Sequence, residues 1–217
     1  MMTNPIKTPF IEAAIDSEAL LFGEFTLKSG RVSPYFFNAG KMVQGKTLAT
    51  LAACYADTIQ ASGLDFDVLF GPAYKGISLA ALTAAALYER HGIDKPFAYN
   101  RKEKKAHGEG GQLVGADIQD KKLLIIDDVI TAGTAIKEVA ALIDGTGASL
   151  AGVVIGLDRQ EKGQTDISAI AQIQKDFDIT IKSIIQLEDI VDYLSNNAQH
   201  DTITKINDYR ATYGAQE

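Results

Sequence analysis

Leu123-Leu-Ile-Ile-Asp-Asp-Val-Ile-Thr-Ala-Gly-Thr-Ala135 is the stretch whose reading decides this chain. The apolar run Leu123 to Ile126 has the composition of a strand buried on both faces. Asp127 and Asp128 then emerge at its carboxyl end, where open α/β sheets bind ligands. Thr131, Ala132, Gly133 and Thr134 place backbone N–H groups at the start of a helix, which attracts anions. The carboxylates can take sugar hydroxyls or a hydrated metal, and the loop can take a phosphate. That combination suits a phosphorylated sugar. A plain acidic turn before a Thr-capped helix would account for Asp127-Asp128 alone, since apolar strands often end in Asp. The whole string is more specific than the acid pair.

The 217 residues bound the chain to one domain, or one domain with an appendage, and 46% hydrophobic content suffices for a core. A net charge of −7, from 28 acids against 21 bases, argues against nucleic acid or an anionic membrane as the main partner. Cys54 is the single cysteine, so no intrachain disulfide forms and a cytoplasmic location is expected. The first residues, Met1 to Lys7, lack the apolar run of a signal peptide, and no stretch of about 18 apolar residues predicts a spanning helix.

Periodicity and turn residues set the expected elements. A helix is expected over Phe10 to Leu21, broken by Gly23. Short strands follow at Phe25 to Leu27 and Val32 to Phe37. Helices are expected at Lys46 to Ala61, closed by Gly63, at Ile77 to Arg90, and at Thr134 to Asp144. Strands are expected at Asp67 to Phe70, Pro96 to Tyr99, Leu123 to Asp127, Leu150 to Leu157 and Ile179 to Ile185. Leu187 to Leu194 and Ile203 to Tyr213 read as terminal helices. Alternation of strand and helix from about Ala49 to Leu157 predicts a parallel sheet covered on both faces and wound right-handed. The chain ends leave that alternation and are expected beside the sheet.

Three further blocks carry chemistry. Gly71-Pro-Ala-Tyr-Lys-Gly76 follows a strand and precedes a helix, so it offers N–H groups and a lysine to an anion on the same sheet edge. Arg101-Lys-Glu-Lys-Lys-Ala-His-Gly-Glu-Gly-Gly111 packs four cations and His107 into a glycine-rich loop. Composition alone makes it a solvated hairpin. Its chemistry also suits a lid whose cations stabilise leaving-group charge. Phe25-Thr-Leu-Lys-Ser-Gly-Arg-Val-Ser-Pro-Tyr-Phe-Phe-Asn-Ala-Gly40 reads as a hairpin with three consecutive aromatics, which core packing explains equally well. Gly40-Lys-Met-Val-Gln-Gly-Lys-Thr47 matches the nucleotide-binding P-loop pattern. The proline and polar residues of Val32 to Asn38 do not suit the buried strand that motif needs. It also leaves the other blocks unexplained.

Together the blocks from Phe25 to Glu161 resemble the type I phosphoribosyltransferases, and among them the orotate phosphoribosyltransferases. The resemblance implies an α/β fold with a central parallel sheet flanked by helices and a hood built from the N-terminal segment and the chain ends. Residues 1–217 would form a single domain, with a core of about 46–160, a hood of about 1–45, and 161–217 packed alongside. It implies transfer of the phosphoribosyl group from 5-phosphoribosyl 1-diphosphate to N1 of orotate, in pyrimidine biosynthesis. It implies magnesium held mainly by substrate and water near Asp127 and Asp128. It also implies a homodimer whose lid acts in the partner's site.

The implied sugar-diphosphate ligands are Lys28, Tyr74, Lys75, Arg101, Lys102, Lys105, His107, Asp127, Asp128 and Val129-Ile130-Thr131-Ala132-Gly133-Thr134-Ala135. Among these Arg101, Lys105, His107, Asp127 and Asp128 are the implied catalytic residues. Phe36, Phe37, Thr131 and Arg159 are implied for orotate, whose carboxylate suits the planar guanidinium of Arg159. A cis peptide is implied between Ala73 and Tyr74. The family pattern has an acid before the lid histidine; Ala106 stands there, so different lid kinetics are expected. Two alternatives remain at this stage. A regulator of the same fold would bind without turnover, against which the lysine-rich lid argues. A purine enzyme is disfavoured by Phe36-Phe37 and Arg159.

Overall fold

The computed structural model describes residues 4–27, 29–103, 112–163 and 166–215. The elements run α1 (Lys7–Asp16), β1 (Leu20–Thr26), β2 (Val32–Phe37), α2 (Gly45–Ser62), β3 (Val68–Gly71), α3 (Lys75–His91), β4 (Phe97–Asn100) and β5 (Leu113–Gly115). They continue as β6 (Lys122–Val129), α4 (Thr134–Ile143), β7 (Ser149–Asp158), α5 (Ala169–Phe177), β8 (Thr180–Gln186), α6 (Leu187–Asn196) and α7 (His200–Tyr213).

The main sheet has six strands in the order β5-β4-β3-β6-β7-β8, all paired in parallel except β5, which runs antiparallel on β4. The expected parallel sheet is therefore present, with one antiparallel edge that the polar, glycine-rich stretch hid. Leu123, Leu124, Ile125 and Ile126 are all fully buried, as a strand covered on both faces requires. Successive side chains point to opposite faces. Leu124 and Ile126 join the core built with α1, α2 and α3, whereas Leu123 and Ile125 join Ile136, Val139 and Ile173 of α4 and α5. Each such side chain contributes about 1.5–3 kcal/mol by leaving water.

One sequence expectation needs correction, one helix went unpredicted, and the disfavoured P-loop match can be judged on topology. The first helix ends at Asp16: Ser17 Oγ donates to the Ala13 carbonyl at 2.7 Å, and Glu18 turns the chain with φ 56°. Leu20 and Leu21 then enter β1, pairing with Phe37 and Phe36, and Gly23 lies at the register shift of that strand. Helix α5 was not foreseen; its signal was Ser168, whose Oγ accepts from Ala171 N at 3.0 Å, ahead of Ile170, Ile173 and Phe177. The P-loop reading fails on topology. β2 pairs antiparallel with β1 in a separate two-stranded sheet, and Ala39–Lys41 is a 3-10 turn. Thr47 Oγ1 donates back to the Gln44 carbonyl at 2.9 Å.

The chain ends meet beside the sheet. Lys7 Nζ lies 2.8 Å from Asp189 on α6. The Tyr209 ring of α7 stands edge-on to Tyr35 of β2 at 6.3 Å.

The crossover from β3 to α3 is compressed. A Cβ on Gly76 would lie 2.5 Å from Pro72 Cδ and 2.8 Å from the Ile126 carbonyl, and one on Gly71 would meet the Gly76 carbonyl. Backbone cannot swing aside as a side chain can. We expect Gly76→Ala to cost about 1–3 kcal/mol and to lower the melting midpoint by about 2–4 °C per kcal/mol. An unchanged midpoint in a thermal scan would mean that the turn yields freely.

Candidate active site

Strand β6 delivers Asp127 and Asp128 to the carboxyl edge of the sheet. Asp128 is buried, at 6% exposure, on the Leu124–Ile126 face. Its Oδ2 lies 2.7 Å from Nζ of Lys75, the first residue of α3, and that amine also donates to Asn38 Oδ1 at 3.0 Å. Asp128 Oδ1 accepts from Val129 N at 3.0 Å. Asp127 Oδ1 accepts from Asp128 N at 2.9 Å, and its carbonyl accepts from the fully buried Tyr55 hydroxyl at 2.7 Å.

Burial, reinforced by the charge of Asp128, pushes the Asp127 carboxyl from 3.8 up to about 6. Its folded value thus exceeds its unfolded one, so folding favours the protonated form. Stability is lost as pH rises from about 4 through about 6, and the full cost stands at neutral pH.

The loop after β6 leads to α4. Gly133 is its N-cap at φ 67°, with no side-chain cap, and a Cβ there would meet Ile173 Cδ1. Thr131, Ala132 and Thr134 are exposed. The uncapped first turn therefore presents N–H groups to solvent beside the two acids, as an anion site requires. Across the edge, Ala73 N donates to Asn100 Oδ1 at 3.0 Å, tying the turn after β3 to the end of β4. The Ala73–Tyr74 peptide is cis, as expected. Tyr74 is 68% exposed, and Lys102 Nζ lies 5.3 Å over its ring.

Arg101 N donates to the Gln112 carbonyl at 2.6 Å, extending the β4–β5 pairing. Arg101 and Lys102 line a cleft with Glu138, Ala141 and Leu142 of α4. Among the described residues no contact joins them to the acid pair. Lys28, Lys105, Ala106 and His107 lie outside the described residues.

A second polar cluster forms around Arg159, just past β7. Its side chain is 12% exposed; Nε donates to Glu161 Oε1 at 2.8 Å, and Nη2 lies 2.6 Å from the same oxygen. Nη2 also donates to Ser33 Oγ at 3.3 Å, and the guanidinium sits 4.5 Å from the Tyr35 ring centroid. Phe36 and Phe37 of β2 separate by strand alternation. Phe36, 37% exposed, packs on Phe25 at 5.7 Å, whereas Phe37 is buried against Phe10 at 6.1 Å. The Phe37 ring thus packs in the core, and Phe36 is the more exposed of the pair. Glu161, Tyr35 and the C-terminal Tyr209 and Tyr213 were missed from sequence, because only the fold brings the end of the chain back to Arg159.

The phosphoribosyl transferase domain family matches residues 44–190. Orotate phosphoribosyltransferase of Saccharophagus degradans is 54% identical over 95% of this chain and 97% of its own. That of Photobacterium profundum is 53% identical over 94% and 96%. The crystal structure of orotate phosphoribosyltransferase from Francisella tularensis superposes with a TM-score of 0.87 at 48% identity, covering 95% of this chain and 99% of that one. The chain belongs to the phosphoribosyltransferase family and, within it, to the orotate phosphoribosyltransferases.

Removing the Asp127 charge should relieve its burial cost. We expect Asp127→Asn to be more stable than the parent at pH 8, by on the order of 3 kcal/mol or less. The gap should close near pH 4, and turnover should be lost. Thermal scans at both pH values check this; a variant less stable at pH 8 would contradict the assignment.

Proposed function

We propose that this chain transfers the phosphoribosyl group of 5-phosphoribosyl 1-diphosphate to N1 of orotate, giving orotidine 5′-phosphate and diphosphate in the synthesis of UMP. The observation that carries this reading is the single edge shared by Asp127, Asp128, Lys75 and the open N-terminus of α4. That edge offers carboxylates for ribose hydroxyls, N–H groups for the 5′-phosphate and a cation for diphosphate.

In the reaction the C1–O bond to diphosphate breaks, its electron pair leaving with diphosphate, as orotate N1 bonds to C1 and gives up its N1 proton to solvent or to the departing diphosphate. The N1–H of orotate is conjugated with the ring carbonyls and therefore acidic, so no strong protein base is needed to take its proton. The protein's work is positioning and charge stabilisation at an oxocarbenium-like C1. Val129 to Ala135 wrap the 5′-phosphate. Asp127 and Asp128 hold the ribose hydroxyls. Lys75 turns from Asp128 toward the diphosphate, joined by Lys28 and by Arg101, Lys102, Lys105 and His107 of the lid. Thr131 and Arg159 hold orotate, with Phe36 beside it.

Magnesium fits this donor set. Among the described residues no group of three or more His, Cys, Asp or Glu could hold a metal alone. Two hard carboxylates beside a polyphosphate substrate are how Mg²⁺ is usually bound, with waters retained. Held near Asp127 and Asp128 by substrate oxygens and water, it would neutralise charge on the leaving diphosphate. The functional unit is a homodimer with each lid serving the partner's site. Among the described residues no helix is long and apolar enough to cross a membrane, and a cytoplasmic location is part of the same reading.

Two experiments test these roles. Arg159→Ala should raise the KM for orotate by about 10–100-fold, the worth of hydrogen bonds to a charged group, with a much smaller change for the sugar diphosphate. Equal loss for both substrates would sink the assignment. Mixing Lys105→Ala subunits with Asp128→Asn subunits should restore part of the activity, because one site of the heterodimer keeps both functional groups. Isolated heterodimers with no recovery would refute catalysis across the subunits.

A further inference from the structure

Arg159 and Glu161 stand two residues apart, and the backbone between them is shaped to bring their side chains together. Gln160 adopts φ 52°, and its N–H donates to Asp158 Oδ1 at 2.8 Å. The C-terminus fixes that turn from outside: Ala215 N donates to the Gln160 carbonyl and Lys162 N to the Tyr213 carbonyl, each at 2.9 Å. Glu161 Oε1 then takes both Nε and Nη2 of Arg159 and accepts from the Tyr35 hydroxyl at 3.3 Å, while Oε2 takes Arg31 Nη1 at 3.4 Å. The Nε–Nη2 edge of Arg159 is therefore occupied by Glu161. Two arginines, Arg31 and Arg159, thus share the one carboxylate of Glu161.

We propose that Glu161 is the positioning residue that presents Arg159 to the carboxylate of orotate. By holding the Nε–Nη2 edge, it turns the Nη1 edge toward the ligand and removes the rotamer freedom that binding would otherwise have to freeze. A largely enclosed guanidinium also needs a hydrogen-bonded counter-charge, which Glu161 supplies. This rests on Arg159 binding orotate, as proposed above.

Steady-state kinetics of Glu161→Gln, Glu161→Asp, Arg159→Ala and the Arg159→Ala/Glu161→Gln double variant test it, with circular dichroism to verify folding. Glu161→Gln should raise the KM for orotate about tenfold or more and leave that for the sugar diphosphate nearly unchanged. In the Arg159→Ala background the same change should add nothing, since Glu161 acts only through Arg159. Glu161→Asp keeps the charge but cannot reach the same edge, so it should also weaken orotate; it decides the matter if Glu161→Gln does not fold.

A KM for orotate that is unchanged or lowered in folded Glu161→Gln would overturn the proposal, because Glu161 would then be a bystander or a competitor for Arg159. Full rescue by Glu161→Asp would leave only a counter-charge role, and an equal effect in both backgrounds an independent one; either overturns it. If Arg159→Ala alone leaves orotate binding intact, the failure belongs to the assignment of Arg159.

Discussion

A carboxylate at the end of a fully buried strand is costly to ionise unless a cation reaches it. Asp128 meets that demand through Lys75, and the pair constrains the architecture around it. Lys75 can reach only because β3 and β6 are neighbours in the sheet, Val68 opposite Leu123, although they lie far apart in sequence. The turn after β3 must also lie flat on the end of β6, which is why Gly71 and Gly76 face backbone where a Cβ would fit nowhere. Asn38, at the end of the separate hairpin, fixes the same lysine from the other side. Core, crossover and hairpin thus converge on one amine. That amine is a free cation for a phosphorylated ligand only once Asp128 has another partner.

The neighbouring Asp127 is the uncompensated member of the pair. Its raised pKa means that the fold tolerates its charge at a cost, an arrangement common where a group serves a ligand and not the core. The Arg159 cluster shows the opposite economy. There Arg31 and Arg159 both meet Glu161, and the hairpin, the segment after β7 and α7 all contribute. On the proposed function, one end of the site is kept short of partners for a sugar phosphate, and the other is fixed in advance for a flat, carboxylated base.

The β6 region was legible in the sequence because its chemistry is local. Four apolar residues, two acids and a Thr-Ala-Gly-Thr loop specify strand, edge and helix start without help from elsewhere. The alternation that predicted the sheet was equally local. What stayed hidden depends on distant partners. Leu20 and Leu21 fit a helical period, yet they pair with Phe37 and Phe36 across the hairpin. Phe36 and Phe37 read as a pair until strand alternation sends one ring into the core. Tyr209 and Tyr213 carried only helical pattern, and nothing in α7 announces that its end is bonded to the turn beside Arg159. The P-loop match at Gly40 to Thr47 was local as well, and the topology of β2 removes it.

The central claim is turnover of orotate at this edge, and the absorbance of orotate in the ultraviolet tests it most directly. With purified protein, magnesium and 5-phosphoribosyl 1-diphosphate, the account predicts a fall in the orotate signal that requires the metal and is reversed by added diphosphate. No fall under those conditions, with the sugar diphosphate still bound, would contradict the account: the edge would hold a phosphorylated sugar, and orotate would not be its partner.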